Sequence, residues 1–491
     1  MQVATRELLV SFVPWLVPML LFAAATGGEA AELLVGGATT NITPDKPVAL
    51  CGQFHTRIAR SVDNPCTATA VAIEARDGER VIDQAIMVSC DLSAIWGTTQ
   101  EQLRERVKAR LPGFDPKKLF LNATHTHTAP VLVEGQYDLP KEGVIQPAEY
   151  MEFLLGRLSD AVATAWEGRK SGGVSWALGH AAVGSNRRAV YENGTARMYG
   201  ATDTPDFRAI EGYQDHSVDV LFFWDNGEKP VAMAIDLACT SQEVEGRSTV
   251  NADFWHDVRE QLHKTYAPDL LVLGWVSAAG DQSPHLLYNK RAEERMRVRR
   301  GLTPTQEIAR RICRAVDDVF EVARGDIRTA VPFVHRVETL KLPVRKVTEA
   351  DVAKAKAQLE QLAKRAAPAP GDYVQKRRFA LTIERFEKQE AEPTYEMELH
   401  VLRIGDVAIA TCPFELYLDY GVQIKARSRA VQTFLIQLAC APGGYLPTEK
   451  AVKGGGYSAL AEDNCVGPEG GKLLVHRTVE LINALWPVTS R

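Results

Sequence analysis

Two spacings of apolar residues alternate along this chain. Val71 to Ala75 and Val81 to Ser89 are apolar runs separated by Asp77-Gly78, which reads as two strands joined by a turn. From Thr99 to Leu111 the period changes. Leu103, Val107 and Leu111 recur at every fourth position, the stripe of an amphipathic helix. Tyr150 to Trp166 repeats that stripe with Met151, Leu154, Leu155, Leu158 and Val162. Thr303 opens a further helix: Pro304 suits the first helical position, Gln306 completes a capping box, and Ile308, Ile312, Val316 and Phe320 form a core-facing stripe. The alternation from Leu33 to about Leu340 predicts an α/β fold, a large mixed sheet with helices on its faces. Residues 345–392 depart from it. They are rich in Lys, Ala, Glu and Gln and are broken by Ala366-Ala367-Pro368-Ala369-Pro370-Gly371, which predicts a hairpin of two exposed helices. We read this insertion as a surface excursion rather than a lid.

No clean linker divides the 491 residues, so residues 31–491 are expected to form one catalytic-size unit. The net charge is −5, and no Lys/Arg stripe alternates with aromatic residues, which excludes a nucleic-acid footprint. The basic cluster Arg291 to Arg300 also carries Glu293 and Glu294 and reads as a solvated helix face. At the N-terminus, Arg6 precedes an apolar run from Leu8 to Ala25 broken by Pro14 and Pro18, and small residues follow to Ala30-Ala31. That order predicts a signal peptide over residues 1–30 and an exported protein, periplasmic or secreted. No later stretch is long and apolar enough to span a bilayer. In an exported chain the eight cysteines permit disulfides, and Cys51 with Cys66 and Cys440 with Cys465 are the expected bridges.

The strongest local signal for chemistry is the run Leu119 to Leu121 followed by His125-Thr126-His127. A buried strand that ends in His-x-His can point both imidazoles to one side, where neutral imidazole binds a metal such as zinc. Three more strand-like runs end in polar groups. Val231 to Ala238 ends at Cys239-Thr240-Ser241-Gln242-Glu243, Leu270 to Val276 leads to Gly280-Asp281-Gln282-Ser283-Pro284-His285, and Val407 to Thr411 leads to Cys412-Pro413-Phe414-Glu415. Open α/β sheets bind ligands beyond the carboxyl ends of their strands, so these four ends are expected to build one site. Glu415 also suits the first turn of a helix running to Ala426.

Taken in order, these elements resemble those of the neutral, non-lysosomal ceramidases. His125-Thr126-His127-Thr128-Ala129-Pro130 is similar to that family's His-Thr-His-Ser-Gly-Pro, and Gly280-Asp281-Gln282-Ser283-Pro284-His285 to its Gly-Asp-Val-Ser-Pro-Asn. Pro413-Phe414-Glu415, Gly444-Tyr445-Leu446-Pro447-Thr448, Asn186-Arg187, Phe54-His55-Thr56-Arg57 and Ser89-Cys90-Asp91-Leu92 echo further motifs, from about Val35 to Pro468. The resemblance implies a zinc-dependent hydrolase that cleaves an amide bond in a small-molecule, lipid-like substrate. It assigns zinc to His125, Glu415 and Tyr445, catalysis to His127, Ser283 and Asp281, and substrate binding to Asn186 and Arg187. The family's remaining ligand is a His in a His-x-Thr-Ser context with Asp fourteen residues on; Cys239, with Asp253 fourteen residues on, takes that place here. Three outcomes stand open: Cys239 is a thiolate ligand, His256 substitutes for it, or the metal is lost. The family's C-terminal β-sandwich domain has no counterpart after Gly467-Pro468, so ceramide itself is not implied. Ester hydrolysis on the same site and a non-catalytic exported binding protein are the alternative functions.

Overall fold

A computed structural model describes residues 30–487; the expected signal peptide lies outside the described residues. Among these residues, the chain builds two large stacked sheets with helices on their outer faces, and four small sheets of two or three strands. The larger sheet runs in the order Leu271–Val276, Pro230–Leu237, Ser217–Asp225, Lys170–His180, Ala31–Asn41, Thr67–Asp77, Arg80–Cys90, Leu119–Ala123. Most neighbours are antiparallel, but Leu119–Ala123 pairs parallel with Arg80–Cys90, and Leu271–Val276 pairs parallel with Pro230–Leu237. The smaller sheet orders Phe333–Pro343, Thr394–Ile404, Val407–Thr411 and Gln432–Ile436, with the last two parallel. The sheet is mixed and helix-covered, as the alternation of periods predicts. The division into two sheets is not visible in that alternation.

The side chains explain the layering. Strand positions alternate faces, and in the larger sheet Val71, Ile73, Met87, Phe120, Leu221 and Trp275 point to the same buried layer as Leu402, Ile409 and Phe434 of the smaller one. Trp275 meets Phe434 edge-on with ring centroids 5.9 Å apart, a contact worth about 0.5–1.5 kcal/mol beyond its burial. The opposite face of the larger sheet is covered by the helices Thr99–Arg110 and Pro147–Glu167 on one half and by Phe254–Thr265 and Pro304–Arg324 on the other. Thr303 makes the expected capping box with Gln306. Leu418–Arg427 and Pro468–Asn483 cover the smaller sheet. The basic segment forms the helix Lys290–Arg299, which buries none of its residues.

All eight cysteines are free thiols, which corrects the two expected bridges. Cys51 packs beside Tyr137 and Cys66 packs under the helix layer. Cys440 sits between the sheets and Cys465 on the outer face of the smaller sheet. In each pair the partners occupy different layers.

The insertion is a hairpin of the helices Glu349–Ala363 and Asp372–Lys388, closed on itself by Ala355, Leu362 and Phe379. It is not a free surface excursion. Tyr373 donates to the carbonyl of Gly135 at 3.2 Å, Arg378 pairs with Asp463, and Arg385 donates to the carbonyls of Ala461 and Asn464. Exposed helical composition did not reveal these bonds, because they come from its polar residues.

Candidate active site

The carboxyl ends of strands from both sheets interlock at one place. The Ala123 amide donates to Leu438, Gln437 to Val276, Ser277 to Leu237, and Cys412 to Ile436. The four strand ends singled out in the sequence therefore converge. From Leu119–Ala123 the chain turns into His125, whose φ of 66° is left-handed. A non-glycine residue in that region carries local strain, which surrounding contacts must hold. Here Thr124 donates to Cys90 and Thr126 to Leu92 through their amides, and the Thr126 hydroxyl donates to Asn251.

Each ring of the pair has one nitrogen fixed by a hydrogen-bond acceptor. His125 Nδ1 lies 2.5 Å from the Ser93 carbonyl, so it carries the proton and leaves Nε2 a lone pair. His127 Nδ1 lies 3.1 Å from Glu245 Oε2, and the Gln242 amide nitrogen lies 2.8 Å from His127 Nε2, which makes that Nε2 an acceptor too. The two Nε2 atoms face each other at 3.2 Å. Burial is the largest influence on His127 and lowers its pKa to about 4, against the opposing pull of Glu245. The Glu245 contact is thus a neutral N–H donated to a carboxylate rather than an ion pair. Gly52 allows the ring its place: with φ of 103°, a Cβ at this residue would stand 2.3 Å from His127 Cγ.

Glu415 arrives from the other sheet. It does not open a helix, as its position suggested; Leu418 does. Glu415–Leu416 instead pairs parallel with Tyr445–Leu446, with Glu415 in register with Tyr445. Glu415 Oε2 is 3.4 Å from His125 Nε2, buried, and has no hydrogen-bond donor. Burial pushes the Glu415 carboxyl up, but a protonated His125 and the Arg187 guanidinium, 3.8 Å from Oε2, outweigh it and hold the group below its ordinary pKa. Two ligands on a tetrahedral zinc at about 2.0–2.1 Å stand roughly 3.3 Å apart, so the His125–Glu415 spacing fits a divalent cation with Tyr445 alongside.

Arg187 ties this centre together. It donates to the Gly280 carbonyl at 2.9 Å, to Gln242 and Tyr199 at 3.2 Å, and to the Tyr445 hydroxyl at 3.4 Å. Ser283 is buried, and its hydroxyl oxygen accepts from the Tyr199 hydroxyl and the His285 amide, both at 3.0 Å. Asp281 accepts from Asn186 at 2.8 Å and from the Leu418 amide at 2.9 Å, and Asn186 Oδ1 accepts from the Arg188 amide. Asp281 and Asn186 therefore brace the two-stranded piece Ser185–Asn186 with Gln282–Ser283 against the helix Leu418–Arg427.

Cys239 is not brought into this group. It lies in the core beneath the helices Phe254–Thr265 and Pro304–Arg324, with its thiol directed to the Thr240 carbonyl, and burial raises its pKa well above that of a free thiol. Counted back from Thr240-Ser241, the His-x-Thr-Ser pattern falls on Ala238, which has no donor atom. His256 stands in the first turn of Phe254–Thr265. Among the described residues, the one His/Cys/Asp/Glu triad with all ligand atoms within 4.8 Å is Glu398, His400 and Cys440, which includes none of His125, His127, Glu415, Cys239 and His256. That triad belongs to the layer between the sheets, beside Phe120, and both oxygens of Glu398 already accept from Arg104.

Sequence reasoning missed Ser93 and Glu245, and it gave no role to Gln242 and His285, which it placed only in the strand-end runs. Glu245 Oε1 is 3.4 Å from His285 Nε2, and Glu243 lies 3.7 Å from His285 Nδ1. Beyond them opens a cavity of about 510 Å3, lined by charged side chains such as Lys290 and Arg311 and by apolar ones such as Leu287 and Ile308. On the other side His125, His127, Glu415 and Tyr445 share a second cavity, of about 200 Å3, with Phe54, Trp96 and Val374. The segment Gln242-Glu243-Val244-Glu245 is a plain polar loop in sequence, and its proximity to Ser283 and His285 comes only from tertiary folding.

The chain has the fold of the neutral ceramidase from Pseudomonas aeruginosa, with a TM-score of 0.66 and 16% identity over 94% of this chain and 76% of that chain. A ceramidase complexed with C2 gives 0.65 and 15% over the same shares. No protein-family model matches the sequence, and no curated protein matches it.

Proposed function

We propose that this protein is an exported hydrolase that cleaves an amide bond at a divalent cation, zinc by preference, held by His125, Glu415 and Tyr445. One observation carries the reading. The His125 and His127 Nε2 atoms face each other at 3.2 Å, and the buried Glu415 Oε2, 3.4 Å from His125 Nε2, lacks a hydrogen-bond donor. Converging lone pairs and a carboxylate in a buried site call for a positive charge between them. Bound there, zinc supplies Lewis acidity to a carbonyl and a water of lowered pKa.

The chain's own groups do the rest. His127, neutral and fixed in its tautomer by Glu245, is available to accept a proton at Nε2 once the Gln242 amide swings away. Both acceptor positions of the Ser283 oxygen are taken by Tyr199 and His285, so its hydroxyl proton is free to donate to a substrate carbonyl. This favours an orienting role for Ser283 over nucleophilic attack. Arg187 positions Tyr199, Gln242 and Tyr445.

The test is metal analysis of purified protein combined with hydrolysis of N-acyl amides before and after chelation. Stoichiometric zinc and chelator-sensitive turnover are expected. Zinc-free protein, or turnover indifferent to chelation, would overturn the proposal and leave a binding protein on this fold.

A further inference from the structure

Arg57 is a buried cation whose hydrogen-bond acceptors are all backbone carbonyls. It opens the strand Arg57–Ala59, which pairs with Val48–Leu50 in a small hairpin whose loop holds Gly52. Only 4% of Arg57 is exposed. Its Nη1 donates to Glu245 and Arg247, both at 2.6 Å, and its Nη2 donates to Cys51 at 2.8 Å and to His127 at 2.5 Å. The buried Nε has no partner.

Taking a charge out of water is unfavourable, and a carboxylate commonly offsets the loss. Here four carbonyl dipoles do so, through charge-assisted bonds that are about twice as strong as neutral ones. The hairpin closes without them, because its own ladder pairs Val48 with Ala59 and Leu50 with Arg57 through the backbone. Of the four acceptors, only Cys51 belongs to that hairpin. The other three lie on two remote segments, so the guanidinium serves the segments it reaches.

Those segments carry one contact of the site. His127 Nδ1 lies 3.1 Å from Glu245 Oε2. Arg57 grips both residues by their own carbonyls, one with each terminal nitrogen. A guanidinium is planar and rigid, so the two backbones are held one fixed width apart. Other ties of the Glu245 loop lead elsewhere: the Val244 amide donates to Asp253 at 2.8 Å, and the Arg247 side chain donates to Asp63 at 2.9 Å.

We infer that Arg57 is the positioning residue of the His127–Glu245 pair: by clamping the backbone of both residues it sets the distance between imidazole and carboxylate. The effect on turnover rests on the hydrolase reading, whereas the clamp itself is a property of the fold.

The test compares Arg57→Ala, Arg57→Lys, Glu245→Ala and the double variant of the full chain by two readouts. One is kcat and KM on N-acyl amides. The other is the nitrogen NMR shifts of the His127 ring at one fixed pH, which tell which nitrogen carries the proton and need no turnover. Arg57→Ala should lower kcat by about 10–100-fold with KM little changed, and should turn a single Nδ1–H tautomer into a mixture. Arg57→Lys should do the same, because an ammonium is a point donor that cannot span both pairs of carbonyls; it carries the comparison if the alanine variant does not fold. On top of Glu245→Ala, the loss of Arg57 should lower kcat by less than about a further twofold, since residues acting through one contact are not additive. Fully additive losses would overturn the inference. So would lower thermal stability alone, with kcat and the His127 shifts of the folded variants unchanged. Shifts that move as expected in a protein with no turnover of any amide would uphold the clamp and sink the hydrolase reading alone.

Discussion

Glu245 and His127 form the contact that defines the protonation of this site. Glu245 Oε2 accepts the Nδ1 proton of His127 at 3.1 Å, while its Oε1 stands 3.4 Å from His285. One carboxylate thereby orients the imidazole that faces His125 and links it to the rim of the larger cavity.

Glu245→Ala is expected to lower kcat by about 10–100-fold, the usual cost of removing an orienting partner from a site ligand or base, with KM little changed. Glu245 raises the His127 pKa against burial, so its loss should also move the acid limb of the pH–rate profile to lower pH. An unchanged profile would remove Glu245 from the mechanism.

The cation position makes opposite demands on two residues. Glu415→Gln should abolish stoichiometric zinc, because it removes the anion beside His125. Cys239→Ala should keep its zinc and lose only packing, about 1 kcal/mol for one buried thiol. Elemental analysis after gel filtration reads both variants, and zinc loss in the alanine variant would restore Cys239 to the ligand set.

Gly52→Ala should damage function without replacing a catalytic group. Its Cβ would meet His127 Cγ at 2.3 Å, in a backbone conformation with φ of 103°. A stability loss of about 1–3 kcal/mol and a disproportionate fall in kcat are expected from thermal melting and kinetics.

Asp236 sets a pH dependence of stability. Burial pushes its carboxyl well above the ordinary range; Lys425 acts against this, and one of its oxygens has no donor. A raised folded pKa means that the folded chain holds a proton the unfolded chain releases above about pH 4. The Asp236 contribution is therefore fully present below that pH and is lost as pH rises. Asp236→Asn keeps an acceptor for the Leu435 amide and should be more stable than the parent at neutral pH, by an amount that shrinks toward zero below about pH 4. Denaturant melts across pH read this difference.

Several features of this fold were open to reading in the sequence because they are local. The turn at Asp77-Gly78, the stripe from Ile308 to Val316 and the capping box at Thr303 each depend on residues a few positions apart. The strand-end placement of His125, Ser283 and Glu415 was legible for the same reason. Other features needed the third dimension. Whether one sheet or two lies behind the alternation depends on which apolar faces meet. Glu245 reaches His127 across a separation of more than a hundred residues, with no pattern around it. Cys239 looked like a ligand because a thiolate binds zinc well, but chemistry of type does not fix direction, and its side chain points into the core. The hairpin looked detached because its contacts to the pocket run through Arg, Tyr and a single Val.

The interlocked strand ends have a mechanical meaning. His125 follows the strand Leu119–Ala123 of the larger sheet and Glu415 follows the strand Val407–Thr411 of the smaller, and the amides of Ala123 and Gln437 bond across the seam between the two sheets. The gap between the two donors is therefore anchored by the seam of the sandwich on both sides. Exchange of these two amides with solvent should therefore proceed at the rate of global unfolding, and His125 and Glu415 should stay paired until the two sheets part.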